Sequence, residues 1–204
     1  LELLLARSRE PALVSVMFAN NETGVLQPIG DVVRIARDRG ALVHCDAVQG
    51  AGKAPLDLHG LGVDYMSLAA HKLGGPTGVG GLVVRSGAPL IADRVGGGQE
   101  SNRRAGTENV AGIAGFGAAA EAARAGADAD VLRDRLETAL LSIAADARVF
   151  GTGAARLGNT SCISMPNVKA ETQVMAFDLA GVCVSAGAAC SSGKVTRSPV
   201  AGKL

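Results

Sequence analysis

The chain has 204 residues, 48% of them hydrophobic but only 2% aromatic, with 28 glycines and a formal net charge of +1. That length supports a substantial core in one or two domains, built from Ala, Val, Leu and Ile. The near-zero charge, with Arg103-Arg104 as the only adjacent basic pair, gives no footprint for nucleic acid, and no apolar run reaches the length of a membrane span.

The opening, Leu1 to Arg9, lacks a basic leader and reads as the end of a helix. Without an initiator Met, and stopping at Gly202-Lys203-Leu204, the chain reads as an interior piece of a longer protein. Val14 to Phe18 is predicted as a buried strand between Pro11 and the polar Asn20-Asn21-Glu22. Pro28 to Arg39 is predicted as a helix, with Ile29, Val32, Val33 and Ile35-Ala36 on one face and Gly40 as its stop. Ala41 to Cys45 is the next strand, and strand, helix, strand at this spacing is a βαβ unit with a parallel pair. Val63 to Leu68 and Gly80 to Val84 read as a third and a fourth strand. The link between them is too short for a crossover helix, so the fourth strand is expected to run antiparallel.

Gly96-Gly97-Gly98 opens a loop that runs to about Thr107, and Ala-rich helices follow near 109–125 and 128–146. Asp130, Arg133, Asp134 and Glu137 read as a solvated face of the second helix. Beyond Arg148 the pattern shortens: a strand over Thr160 to Met165, a helix over Glu171 to Leu179 and a strand over Val182 to Ser185. A domain boundary is placed in the helical region near 125–145, giving domains over 1–125 and 126–204.

Cysteines at 45, 162, 183 and 190 form no CxxC pair and no zinc spacing, so a reducing compartment, the cytoplasm, is expected. Cys45, Cys162 and Cys183 sit among apolar or β-branched neighbours and read as small buried hydrophobes. Cys190 differs, lying in the small-residue run Ala186-Gly187-Ala188-Ala189-Cys190-Ser191-Ser192-Gly193, which reads as an exposed loop.

The polar residues after the strands carry the chemistry. Asp46 ends the run Ala41 to Cys45, and Gln49 follows it; Lys72 follows Ala69-Ala70-His71 and precedes Leu73-Gly74-Gly75-Pro76. A carboxylate at a strand end and a lysine in a glycine-rich turn suit pyridoxal 5'-phosphate (PLP). The amine forms a Schiff base with the cofactor aldehyde, and the carboxylate keeps the pyridine nitrogen protonated. In an open α/β sheet the loops after strands line the ligand crevice. Asn21, Asp46 with Gln49, and His71 with Lys72 are therefore expected at one sheet edge.

Five segments, in order, resemble the cysteine desulfurases, class V aminotransferase relatives with the PLP fold-type I architecture. They are Phe18 to Gly24, His44 to Gln49, Ala70 to Pro76, Gly96 to Glu100 continuing through Arg104 to Thr107, and Ser185 to Cys190. The resemblance implies an α/β fold: a large PLP domain with a mostly parallel sheet flanked by helices, and part of a smaller α+β C-terminal domain that carries the cysteine loop. It implies that Lys72 holds PLP and shuttles protons, that Asp46 pairs with the pyridine nitrogen, and that Gln49 and Asn21 bond the ring hydroxyl oxygen. His71 would contact the phosphate, with Ala69 and Ala70 beside it; Ala69 stands where family members often carry a hydroxyl. Thr107 would reach the phosphate of a partner subunit's cofactor, which implies a homodimer. Cys190 would take sulfur from L-cysteine as a persulfide and leave alanine, then pass it to a sulfur acceptor or an iron–sulfur scaffold protein. Its only expected metal contact is a transient one with an iron–sulfur cluster.

The family's first portion supplies a phosphate loop and a ring-stacking histidine, and its last portion an arginine for the substrate carboxylate; the chain reads as about the middle half of a member. The isolated piece is accordingly expected to be inactive. A selenocysteine lyase or another class V aminotransferase is the near alternative, and a non-catalytic scaffold or sulfur-relay protein the alternative of a different class.

Overall fold

The computed structural model describes residues 1–8, 10–123, 129–187 and 200. The chain divides into two compact units, Leu1–Phe18 with Gln27–Ala125, and Ala19–Leu26 with Gly126–Leu204.

In the first unit, helix α1 (Glu2–Arg7) precedes strand β1 (Leu13–Met17), helix α2 (Ile29–Arg37) and strand β2 (Leu42–Asp46). Strands β3 (Tyr65–Ala69) and β4 (Gly80–Val84) complete a sheet of order β1-β2-β3-β4. β1 and β2 run parallel with Leu13 opposite Leu42 and Met17 opposite Asp46, and β2 and β3 run parallel with Asp46 opposite Ser67. β4 turns back antiparallel to β3, Ala69 facing Gly80, as the short link requires.

Alternation along β2 separates the two faces of the sheet: Val43 and Cys45 are buried, while Leu42, His44 and Asp46 point the other way. Against the buried side α2 turns Ile29, Val33 and Ala36, spaced by four and three residues. Burying each of the two larger side chains contributes about 1.5–3 kcal/mol. The helix closes where expected, with Gly40 at φ +67°. On the other face Ser15 Oγ bonds His44 Nδ1 at 2.8 Å, and His44 Nε2 bonds Ser67 Oγ at 2.7 Å, lacing three strands together. At the opposite strand ends the buried Asp64 accepts the Val43 N–H at 2.8 Å through Oδ2 and Arg85 Nε at 2.8 Å through Oδ1. Helix α3 (Val110–Ala122) packs on the 3-10 turn Ala70–Leu73 that follows β3.

In the second unit, helix α4 (Ala129–Ile143) precedes the antiparallel pair β5 (Arg148–Val149) and β6 (Ile163–Ser164), and helix α5 (Ala170–Leu179) follows. Ala19–Leu26 joins this unit through Leu26 N–H to Ala155 O and Leu157 N–H to Gly24 O, each 2.8 Å.

Three expectations fail here. Val182 to Ser185 forms no strand; its valines are about half exposed, with no paired strand among the described residues. Glu137 is buried rather than solvated, because Arg156 Nη1 and Nη2 each donate to its carboxylate at 2.8 Å and Ser161 Oγ adds a bond at 2.7 Å; Arg133 also turns inward, onto Leu157 O. Of the cysteines expected in the core, Cys45 is buried, Cys162 half-buried and Cys183 exposed, since the segment around Cys183 joins no sheet.

Candidate active site

The site is assembled from loops at the C-terminal ends of parallel strands. Asp46 is the last residue of β2, and its backbone is held from both sides: its carbonyl accepts the Phe18 N–H at 2.7 Å, and the next N–H, of Ala47, donates to Ser67 O at 3.1 Å. The Asp46 side chain points to the exposed face. Its Oδ1 accepts the Val48 N–H at 3.0 Å, which fixes the carboxylate over the turn. One position back, burial first and the Asp46 charge second push the Cys45 thiol up to about 11, so this cysteine stays a neutral core residue.

After Ala47 the chain coils through a helical turn, with Gly50 and Ala51 N–H donating to Ala47 O and Lys53 and Ala54 N–H donating to Gly50 O. Gly50 is required in this turn because a Cβ there would overlap the Phe18 ring. The coil places Gln49 and Lys53 on one side, and Lys53 Nζ donates to Gln49 Oε1 at 3.4 Å. Both are half-buried. Burial, and then the charge of Lys72, hold the Lys53 ammonium below the ordinary lysine range.

Lys72 sits in the 3-10 turn after β3, half-buried, with Ala70 buried and His71 exposed beside it. Ala70 N–H donates to Val79 O at 3.0 Å and Gly75 N–H to Ala70 O at 2.9 Å, which closes the loop at both ends. Gly74 stands at φ +82°, and a Cβ on Gly75 would come within 3.0 Å of the Ala70 carbonyl and 3.1 Å of Ala119. The glycine pair thus lets the lysine turn sit tightly on α3.

Farther along, the Ala105 N–H donates to Arg94 O at 2.9 Å, and Arg104 Nη1 donates to the carbonyl of Gly106 at 2.8 Å. Thr107 follows this closed loop and is exposed. Asn21 belongs to the second unit. It is exposed within a turn organised by Asn20, whose Oδ1 accepts the N–H of Glu22 at 3.0 Å and of Thr23 at 2.9 Å. Cys190 lies outside the described residues. Asp46, Gln49, Ala69, Ala70, His71 and Lys72 are thus brought to adjacent loops of one unit. Lys53 joins this group without a sequence signal of its own; its spacing of four from Gln49 becomes a signal only if the glycine-containing turn coils.

The donor set fits PLP. A carboxylate offers an acceptor to a protonated ring nitrogen. A carboxamide whose oxygen is occupied offers N–H groups to a ring oxygen. A primary amine on the neighbouring loop offers a nucleophile for an aldehyde. Among the described residues no group of three or more His, Cys, Asp or Glu side chains gathers at metal-binding spacing, and no helix is long and apolar enough to cross a membrane.

Comparison with known proteins gives the same family. The chain is 49% identical over 197 residues to a cysteine desulfurase of Cereibacter sphaeroides, covering 96% of this chain and 51% of that protein. It is 44% identical over 205 residues to cysteine desulfurase 2 of Trichormus variabilis, covering 98% of this chain and 51% of that protein. A solved NifS-like protein from Rickettsia africae superposes with a TM-score of 0.86 at 38% identity, over 91% of this chain and 53% of that one. The chain therefore spans about half the length of the curated relatives it matches. The sequence profile of the class V aminotransferases matches residues 2–202: the chain belongs to the aminotransferase class V family.

Proposed function

We propose that the full-length protein is a PLP-dependent cysteine desulfurase acting on L-cysteine. The observation that carries this is the placing of Asp46 with Gln49, and of His71 with Lys72, on loops after the adjacent parallel strands β2 and β3. The family and the names of the relatives support the choice of substrate.

When bound, PLP supplies an electron sink for the substrate's carbon skeleton. Lys72 Nζ holds the cofactor and moves protons at the substrate carbons. The Asp46 carboxylate keeps a proton on the ring nitrogen. The Gln49 carboxamide and Asn21 orient the ring through its hydroxyl oxygen; His71, with the backbone of Ala69 and Ala70, holds the phosphate. Cys190 takes the substrate sulfur: a new S–S bond forms at its thiolate as the substrate C–S bond breaks, and the carbon gains a proton. Thiol plus L-cysteine gives persulfide plus L-alanine, with no external oxidant or reductant.

Thr107 reaches a partner subunit's phosphate in a homodimer, and the persulfide passes to a sulfur-acceptor or iron–sulfur scaffold protein. Chain divisions at 1–125 and 126–204 correspond to the PLP-binding domain and the cysteine-bearing domain. The setting is the reducing cytoplasm, in keeping with four cysteines at no framework spacing.

The test is Cys190→Ser in the full-length protein. The variant is expected to keep the visible absorption of bound PLP and to lose sulfur release from L-cysteine. Sulfide at the wild-type rate would exclude the desulfurase mechanism, and a colourless wild-type protein would favour a scaffold that kept only the fold.

A further inference from the structure

We propose that Lys53 is a positioning residue for the cofactor: its ammonium fixes the orientation of the Gln49 carboxamide, so that Gln49 meets the cofactor's ring oxygen with N–H groups. This rests on the PLP reading above and assigns a role to a residue outside the set that touches the cofactor.

The argument is one of donors and acceptors. A lysine ammonium has three donors and no acceptor. The group facing it at 3.4 Å must therefore be the Gln49 carbonyl oxygen, Oε1. With Oε1 committed, Nε2 and its two N–H groups turn to the remaining side. The opposite orientation would place an oxygen lone pair against the ring oxygen and repel it. At 3.4 Å the contact is long, so its main effect is to align a dipole with a charge.

Two features hold Lys53 in place. The turn carrying Gln49 and Lys53 is closed by backbone bonds from Gly50 and Ala51 to Ala47, and from Lys53 and Ala54 to Gly50. Gly52, at φ +71°, lies so close to the lysine loop that a Cβ there would come within 2.7 Å of Leu73 Cδ2. The turn thus seats on the residue next to Lys72. The half-burial of Lys53 and the charge of Lys72, which together depress its pKa, are what this seating produces.

The test uses the full-length protein, PLP titration and the absorption spectrum of the bound cofactor. Lys53→Met is expected to weaken PLP binding about tenfold, the scale of one charge-assisted contact, and to shift the visible band toward that of Gln49→Ala. Lys53→Arg, which also only donates, should restore both. In a Gln49→Ala background, Lys53→Met should add less than about twofold, because the two residues act through one contact. Should Lys53→Met fail to fold, Gln49→Glu keeps the Lys53 contact but has no N–H, and is expected to give the same band shift. A wild-type band and affinity in Lys53→Met, or an undiminished effect in the Gln49→Ala background, would each overturn the role while leaving the PLP reading intact; a wild-type band in Gln49→Glu would overturn the role together with the Gln49 contact to the ring oxygen. Absence of PLP on Lys72 in the wild-type protein would overturn that reading and this role with it.

Discussion

Replacing Glu137 by glutamine keeps the volume of the side chain and removes its charge from a nearly dry site. The carboxylate and the Arg156 guanidinium are about one-tenth exposed or less, meet through two parallel bonds of 2.8 Å, and are joined by Ser161 Oγ at 2.7 Å. A neutral partner leaves the arginine charge buried and uncompensated, which costs about 3–5 kcal/mol. The loss should appear locally, because Arg156 is flanked by the Leu26 to Ala155 and Leu157 to Gly24 backbone bonds. Two compact units need not unfold together, so amide hydrogen exchange at Leu26 and Leu157 is the appropriate assay. At 1.4 kcal/mol per decade, exchange there should accelerate by about two to nearly four orders of magnitude. Glu137→Leu with Arg156→Met should recover much of the loss, since no charge is then stranded. Acid should act in the same direction. The Arg156 hydrogen bond, aided by Ser161 and opposed by burial, holds the Glu137 carboxyl below its ordinary 4.5. A depressed carboxyl contributes stability that is complete above the unfolded value and is lost as pH falls through the folded one. Less than about a fivefold change in exchange at neutral pH in Glu137→Gln would refute the reading of this pair as a buried strut.

The remaining predictions concern the Asp46 and Lys72 loops in the full-length protein. Borohydride reduction of the PLP-loaded protein followed by peptide mapping should place the pyridoxyl label on Lys72; a label on Lys53 or Lys169 would reverse the assignment. Asp46→Asn should still bind PLP but lower turnover more than about a hundredfold, the scale of removing one preorganised electrostatic partner, and near-normal activity would contradict the role.

What the sequence discloses is decided by how far apart in the chain the interacting groups lie. Asp46 and Lys72 follow directly on strands whose apolar runs are easy to read, so their placement at one sheet edge follows from parallel pairing alone. Gly80 to Val84 is readable for the same reason: a short link from β3 leaves it only one neighbour and one direction. Val182 to Ser185 has the same β-branched character and forms no strand, because propensity describes a surface that suits a sheet and cannot supply the neighbouring edge. Glu137 shows the limit more sharply. Its helical neighbours Arg133 and Asp134 make a complete charged face at spacings of three and four, which satisfies every local rule for a solvated surface. The group that buries it, Arg156, stands beyond the end of the helix, past β5. Lys53 lies between these cases: its partner is only four residues away, but the intervening Gly50 and Gly52 make the segment read as loop, and loop residues carry no assumed face. The Phe18 ring against Gly50 and the Leu73 side chain against Gly52 supply the tertiary reason for the coil. Contacts distant in sequence therefore create a local spacing, and that spacing then orients a side chain toward the site. Residues of this kind, set by packing at one remove from the chemistry, are where a structure adds most to a family resemblance.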